Sequence, residues 1–412
     1  MFSDLKHFQK IPRNGQLFLL NEILWTTGLG IFLAIFNLYL LGSDFSLGFI
    51  GLSSSIRLLS TGILAVPVGI VASRIGLRNA MLLGNIILFI ALSLQLTARQ
   101  PSALLVFIAV EGLAETMRRV VKSPFMAEQT SLDERHYLFS SNAAAMNFSR
   151  MTGSVLGGYL PVLFVLLLGL EDRLALDGLI AALWFGVGLV GIGTLPLAMM
   201  RVKPPTSNGN PGRQLARALR SPIAWQLVTS FSLTALGTGL VVPLFNVFLA
   251  ERFGAGTAEI GTILALSLFV LSVLTLLSPA ISRRFGTVNA VTLSQIASLP
   301  FLIMIVLLPG LFWAGLASIL RLAFMDMMVP AVNTLSMNLV DDDERASVNS
   351  MIRMGQASAE GIAAGMAGWM MEHWGYTTPY IIAQGIYLLA IAHFYFRFRK
   401  YDRGSQNRIV LG

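Results

Sequence analysis

Apolar residues recur in twelve windows of about twenty positions, the length a helix needs to cross the hydrocarbon core of a bilayer. They fall at about residues 15–41, 46–72, 79–98, 102–124, 137–169 and 178–200, then at about 223–250, 258–281, 288–308, 311–335, 346–371 and 378–396. The longest stretch without apolar character runs from Arg201 to Ser221 and holds Lys203-Pro204-Pro205, then Ser207-Asn208-Gly209-Asn210-Pro211-Gly212, then Arg213, Arg217 and Arg220. Proline and glycine break a helix there, and the basic residues that follow suit a short helix on a membrane surface. The pattern predicts an all-α integral membrane protein in three parts. A six-helix bundle covers 1–200, a linker 201–222, and a second six-helix bundle with a short tail 223–412.

The two halves register at one offset. Asp133-Glu134-Arg135 recurs as Asp343-Glu344-Arg345, and 343 − 133 = 210. The same 210 relates Ile50-Gly51 to Ile260-Gly261, Asn79-Ala80 to Asn289-Ala290, Gly158 to Gly368, and Arg74-x-Gly76 to Arg284-x-Gly286. A constant offset from the second apolar window of each half to the fifth is a duplication of the whole unit. It predicts twelve transmembrane helices as two pseudo-symmetric bundles facing a central path, the build of many secondary transporters.

Composition agrees. Hydrophobic residues make up 55% of the chain and charged residues 12%, with a mean hydropathy of +0.71; a soluble domain carries about 25% charge. The net charge of +8 invites a nucleic-acid reading, but the cations occupy alternate connections and the tails. Lys6, Lys10, Arg13, Arg74, Arg78, Arg201, Lys203, Arg397, Arg399 and Lys400 all do so, while the connections near Asp44, Arg99 and Glu372 are poor in them. That alternation places both termini in the cytoplasm of a multi-pass protein of the cell (inner) membrane and argues against nucleic acid as a partner. The first apolar run continues past Leu40, so it reads as a retained span rather than a signal peptide. There is no cysteine, and His7, His136, His373 and His393 do not cluster, so neither thiol chemistry nor a metal site is expected.

Gly69-x-x-x-Ser73-Arg74-x-Gly76-x-Arg78, in the connection after the second span, resembles the G-x-x-x-D-R-x-G-R-R loop of the major facilitator superfamily. Ser282-Arg283-Arg284-Phe285-Gly286 is a degraded second copy after the eighth span. With twelve spans, the six-plus-six repeat and the basic central linker, the resemblance covers essentially the whole chain. It implies alternating access, a central cavity lined chiefly by spans 1, 4, 7 and 10, and a conformational role for Gly69, Ser73, Arg74, Gly76, Arg78, Arg283, Arg284 and Gly286. Two departures leave the subfamily unassigned. The motif's aspartate is Ser73 here, and Ile108 stands where many proton-coupled members carry an arginine in span 4. Gly153-x-x-x-Gly157-Gly158 only faintly echoes the fifth-span motif of drug/proton antiporters.

Charges inside the spans carry the site expectations, because a charge at the centre of a membrane helix costs about 2.5–3.5 kcal/mol on insertion scales. Span 4 holds Glu111, Glu115, Arg118 and Lys122 on one helical face. Either Glu115 pairs with Arg118 and the lower cations with Arg119 cap the helix at the interface, or the cluster lines the path. Glu111 has no opposite charge within one turn and is assigned to the path. Span 10 carries Arg321, the repeat mate of Glu111 (321 − 111 = 210), and Asp326. Glu111 and Arg321 are expected at one depth on opposite sides of the path, locking the bundles or holding a solute. Arg150 and Glu360 are likewise repeat mates, and with Arg57 and Arg353 they are expected to form an inter-bundle gate. Glu22 in span 1 reads equally as interfacial or buried. Asn37 and Asn246 are the best neutral polar candidates for solute contacts, whereas aromatics such as Trp25, Phe36 and Phe248 read as packing or as lining.

The leading function is a secondary active transporter of a small polar, charged or amphiphilic solute, with protons as the coupling ion and export as the direction. A multidrug/proton antiporter, an ion-independent uniporter or exchanger, and a non-transporting sensor are the alternatives. No G-x-x-x-x-G-K-[S/T], H-E-x-x-H or G-x-S-x-G is present, so neither direct ATP use nor an enzyme is expected. No cofactor is implied. The expected partners are the solute, protons and the lipid bilayer, for a monomeric protein.

Overall fold

The computed structural model describes residues 12–130, 132–169, 176–200, 217–341 and 344–409, without the side chains of 65–67, 70, 73, 132–136, 168 and 402–409. Most of the expected linker, 201–216, lies outside the described residues, as do Asp343 and the side chains of Ser73 and Asp133-Glu134-Arg135. The described residues form α1 (Arg13–Gly42), α2 (Leu47–Ile63), α3 (Ala65–Ile75), α4 (Leu77–Thr97), α5 (Pro101–Glu128), α6 (Leu132–Leu168), α7 (Leu176–Ala198) and α8 (Pro222–Val241). They continue as α9 (Phe245–Phe253), α10 (Thr257–Thr275), α11 (Ser278–Phe285), α12 (Thr287–Leu307), α13 (Leu311–Asp326), α14 (Val329–Asn338), α15 (Arg345–Trp374) and α16 (Thr377–Ile409).

Four of the twelve spans are each built from two helices: α2 with α3, α8 with α9, α10 with α11, and α13 with α14. Pro67, Pro243, Pro279 and Pro330 stand at or just beyond these breaks. A proline has no N–H to give and its ring crowds the preceding turn, so the helix stops and restarts. Spans 1 and 4, by contrast, are the unbroken α1 and α5, although α5 carries Pro124 near its end. Among the described residues, nine of the spans are long and apolar enough to cross a membrane, by length and composition. The other three fall short for visible reasons. Span 2 is broken, α5 carries Glu111, Glu115, Arg118, Arg119 and Lys122, and α15 is rich in small and polar residues.

The helices gather into two compact units. One comprises Met1–Phe45, Leu59–Asn208 and Gly256–Ala265; the other comprises Ser46–Leu58, Gly209–Ala255 and Leu266–Gly412. The repeat is visible in local detail within each. Gly76 (φ 87°) turns α3 into α4, and Gly286 (φ 81°) turns α11 into α12. Both are repeat mates in a backbone region that side-chain-bearing residues rarely enter. Asn79 donates to the carbonyl of Ile75 at 3.0 Å, and its mate Asn289 donates to that of Phe285 at 3.1 Å. Arg78 closes the first turn by donating to Leu197 and Ala198, the last carbonyls of α7, where a cation is favoured by the helix dipole.

Among the glycine-on-glycine contacts, one crossing in each unit is built from repeat mates of the other. In the first, a Cβ built on Gly158 of α6 would lie 2.9 Å from Gly261 Cα and 2.8 Å from the carbonyl oxygen of Thr257. In the second, a Cβ on Gly51 of α2 would lie 2.7 Å from Gly368 Cα. Small residues let these backbones touch. Beside them, Tyr159 and Thr262 hydroxyls lie 3.1 Å apart in one unit, and Glu372 accepts from the N–H of Gly48 at 2.7 Å in the other.

Gly158→Ala and Gly368→Ala should each destabilise the protein by about 1–3 kcal/mol, the usual cost of overpacking, read as a lower thermal midpoint in detergent. Gly188→Ala, where a Cβ meets nothing within 4 Å, should be neutral or slightly stabilising through helix propensity. Equal behaviour of all three variants would remove the packing role assigned to the crossings.

Candidate functional site

The densest charge in the first unit is centred on Glu22 of α1. Its side chain is 1% exposed and it receives two cations from α5: Arg118 Nη2 at 2.7 Å and Lys122 Nζ at 2.7 Å. Arg118, 2% exposed, is held on its other sides as well. Its Nη1 donates to Asn85 Oδ1 of α4 at 2.9 Å, and its guanidinium lies 4.1 Å from the centre of the Trp25 ring. Thr26 donates to the same carboxylate at 3.4 Å, and Lys122 also touches Met146 Sδ of α6 at 3.5 Å. Two helices, α1 and α5, thus meet at one carboxylate that neutralises only one of its two cations, while α4 touches Arg118 and α6 touches Lys122.

This geometry revises the reading of span 4. Arg118 pairs with Glu22, not with Glu115; the partner of Glu115 is Arg119 one turn on, at 2.6 Å. Lys122 is the second ligand of Glu22. The physical reason is burial: a fully desolvated guanidinium takes the carboxylate that can reach it in the plane of its fork, and that carboxylate comes from another helix. Glu111 accepts from Gln95 Nε2 of α4 at 2.9 Å. Thr116 ties α5 to span 2 by donating to the Thr61 carbonyl at 3.0 Å. Arg150 of α6 is exposed, makes no hydrogen bond or ion pair among the described residues, and lies in electrostatic reach of Glu115, Glu22, Arg119 and Lys122.

In the second unit the corresponding centre is Arg321 of α13, which is buried. It donates to the hydroxyl of Tyr387 on α16, whose ring centre lies 5.2 Å from the guanidinium carbon. Tyr387 is itself 3.2 Å from the Thr238 hydroxyl of α8 and packs on Gly237, where a Cβ would sit 2.8 Å from the ring. Asp326 ends α13, half-buried, with Arg321 in electrostatic reach and no hydrogen bond or ion pair among the described residues. Glu111 and Arg321 each have a polar partner inside their own unit.

The remaining expected residues fall in several places. Arg57 and Glu360 are half-buried members of the second unit, and Arg353 is exposed there, 3.5 Å from Gln356 Oε1. Asn246 is buried and accepts from the N–H of Val247 at 2.9 Å, just beyond the Pro243 break, while Asn37 is half-buried on α1. Phe36 stacks between Phe32 and Tyr39, and Phe248 packs on Tyr380 at 4.8 Å, so these aromatics build core. Gly69 lies on α3; Arg74, Arg283 and Arg284 are exposed beside the glycine turns. Where α15 gives way to α16, burial and the Glu251 carboxylate, 3.0 Å away, push the Tyr376 phenol up to about 12. No group of three or more metal-ligating side chains occurs among the described residues.

A family model described as Major Facilitator Superfamily matches residues 19–364 and 227–409. Among solved structures, the nucleoside transporter NupG (D323A mutant) superposes with a TM-score of 0.76 at 16% identity, covering 92% of this chain and 98% of the other. A bacterial homolog of the human lysosomal transporter Spinster, inward-facing and occupied, gives 0.74 at 15%, covering 94% and 96%. A D-xylose-proton symporter gives 0.72 at 14%, covering 93% and 97%. No curated protein matches the chain.

Glu22→Gln should leave Arg118 and Lys122 buried without their counter-charge. Removing one partner of a buried pair costs about 3–5 kcal/mol. The variant should show a markedly lower thermal midpoint and a smaller monodisperse peak on gel filtration, and Glu22→Gln with Lys122→Met should recover part of the loss. A single variant as stable as the parent would show that the cluster does not hold α1 to α5.

Proposed function

Because the chain belongs to the Major Facilitator Superfamily, we propose that it is a secondary active transporter moving a small polar or charged solute by alternating access between bundles 1–200 and 223–412. The observation that carries this reading is the set of ionisable side chains kept deep in spans 1, 4 and 10, where ordinary packing would exclude them. Glu111 and Arg321, repeat mates, flank the solute; Glu115, Arg118, Asn37 and Asn246 contribute to the same path. Arg57, Arg150, Arg353 and Glu360 gate it, and the glycine-turn loops Gly69–Arg78 and Arg283–Gly286 latch the bundles. The protein works as a monomer in the cell (inner) membrane with both termini in the cytoplasm, and exports its solute.

Protons are the coupling ion in this reading, and Asp326 is their carrier. Glu22, Glu111 and Glu115 are already engaged by Arg118 and Lys122, by Gln95 and by Arg119. Asp326 stands at a helix break with Arg321 on its own span and Tyr387 on α16 in electrostatic reach. A carboxylate so placed changes protonation when the arginine beside it moves.

Two measurements on the reconstituted full-length protein test the proposal. A pH gradient should drive accumulation of a transported solute in proteoliposomes. Asp326→Asn should abolish that accumulation while leaving solute exchange at equal pH within about twofold, since a fixed neutral side chain still permits the loaded carrier to turn over. Gradient-driven accumulation that survives in Asp326→Asn removes this residue as the carrier. A parent protein that exchanges solute but never responds to pH is an ion-independent exchanger instead.

A further inference from the structure

The membrane span of α16 ends in a run of cations. About twenty residues, enough to cross roughly 30 Å of hydrocarbon at 1.5 Å per residue, lead from its start at Thr377 to Phe396. Arg397, Arg399 and Lys400 follow at once, and from Arg397 to Arg408 the sequence holds five cations against one acid, Asp402. Leu389, Phe396, Arg399 and Lys400 share one face of the helix, at steps of seven, three and four. Leu389 and Phe396 are each 65% exposed, and both cations are exposed beyond them. Exposed leucine and phenylalanine along a span suit lipid, so this face passes from acyl chain to headgroup level at Arg399. The Arg399 guanidinium lies 5.4 Å from the centre of the Phe396 ring and 5.8 Å from that of Tyr395, and Lys400 Nζ lies 5.0 Å from the Tyr401 ring. Aromatic faces steady these cations but give their N–H groups no acceptor.

A second element brings two more cations to the same end. Ala218 is fully buried in one apolar cluster with Leu227, Phe394 and Phe398, and Tyr401 packs against it. The segment before α8 is thereby pinned to the end of the α16 span. Arg217, Leu219 and Arg220, around Ala218, are exposed. The Trp225 indole, half exposed, donates to the Leu219 carbonyl at 2.9 Å, and tryptophan is favoured at the membrane–water boundary. The side chains of Arg217, Arg220, Arg399 and Lys400 make no hydrogen bond or ion pair among the described residues. The described acids at this end, Asp341 and Glu344, stand next to Val340 and one turn before Val348 of the same cluster, and they pair with none of the four.

Cations without acids, set where an exposed apolar stripe stops and flanked by an indole and a phenyl ring, fit one chemistry. We propose that this surface binds the headgroups of anionic phospholipids. Arg399 and Lys400 from α16 and Arg217 and Arg220 from the segment before α8 take the phosphate oxygens, while Phe396 and Trp225 lie among the glycerol and the first acyl carbons. Guanidinium and ammonium groups both donate to phosphate. A zwitterionic headgroup brings its own cation and cancels the attraction. The inference is independent of the solute and of transport.

The test uses the full chain in a neutral detergent, titrated with phosphatidylglycerol or with phosphatidylcholine of the same acyl chains, with bound lipid read by native mass spectrometry. Phosphatidylglycerol should bind about tenfold more tightly or better, and salt should weaken it. Each cation near a membrane surface is worth about fivefold in affinity, so Arg399→Gln with Lys400→Gln should weaken phosphatidylglycerol binding about tenfold or more. Arg217→Gln with Arg220→Gln should do the same, and Arg99→Gln, exposed in another connection, should leave it unchanged. All of these variants should keep the lipid-free thermal midpoint, because the exchanged side chains are exposed and bond nothing they would abandon. Glycerol phosphate, a headgroup without chains, should not compete at the concentrations at which the lipid binds. Equal binding of the two lipids, an affinity indifferent to either double variant, or competition by glycerol phosphate on a par with the lipid overturns the proposal. So does a loss of binding seen only where the lipid-free midpoint falls as well.

Discussion

The structure depends on the price of charge in hydrocarbon. Glu22 and Arg118 are buried and Lys122 is largely so, and each is tolerable only because the others are there. The consequence is architectural as well as electrostatic. α1 and α5 are joined by long polar side chains meeting at 2.7 Å, with Asn85 bonded to the guanidinium and the Trp25 ring beside it. A hydrophobic contact would hold the same helices without specifying their rotation. The bonded carboxylate specifies it, and so decides which face of α5 carries Arg119 towards open space.

The second unit solves the same problem with a different partner. Arg321, the repeat mate of Glu111, is buried against a phenol and its ring rather than against an acid. Duplication therefore preserved the scaffold more faithfully than the chemistry. The glycine turns, the asparagine caps at 79 and 289 and the crossings at Gly158–Gly261 and Gly51–Gly368 agree from copy to copy. The charged centres do not.

Much of this was legible in the sequence, for reasons that differ by element. Span positions followed from hydropathy because the bilayer allows little else, and the constant offset of 210 exposed the repeat, including both glycine turns. Span 4 announced its importance through four charges on one face. Their partners were not legible. Arg118 and Glu22 are 96 residues apart, and nothing in the spacing of α5 says that the carboxylate one turn away will be taken by Arg119 instead. Gln95, Asn85 and Tyr387 carried no signal at all, being single polar residues in apolar runs. The interruptions of spans 2, 7, 8 and 10 were marked by prolines, yet the sequence did not distinguish a bend from a clean break.

Those interruptions also divide the labour between the copies. Spans 1 and 4 run as single rods, cross-braced at Glu22, whereas spans 7 and 10 are each two short pieces meeting at Pro243 and near Pro330. A rod resists bending along its whole length; two pieces with a joint yield at the joint and stay straight elsewhere. In these four spans the duplicated copies are mechanically unequal, rods in the first and jointed pieces in the second. A load along span 7 or span 10 meets a joint where it can turn, whereas one along span 1 or span 4 meets helices braced at Glu22.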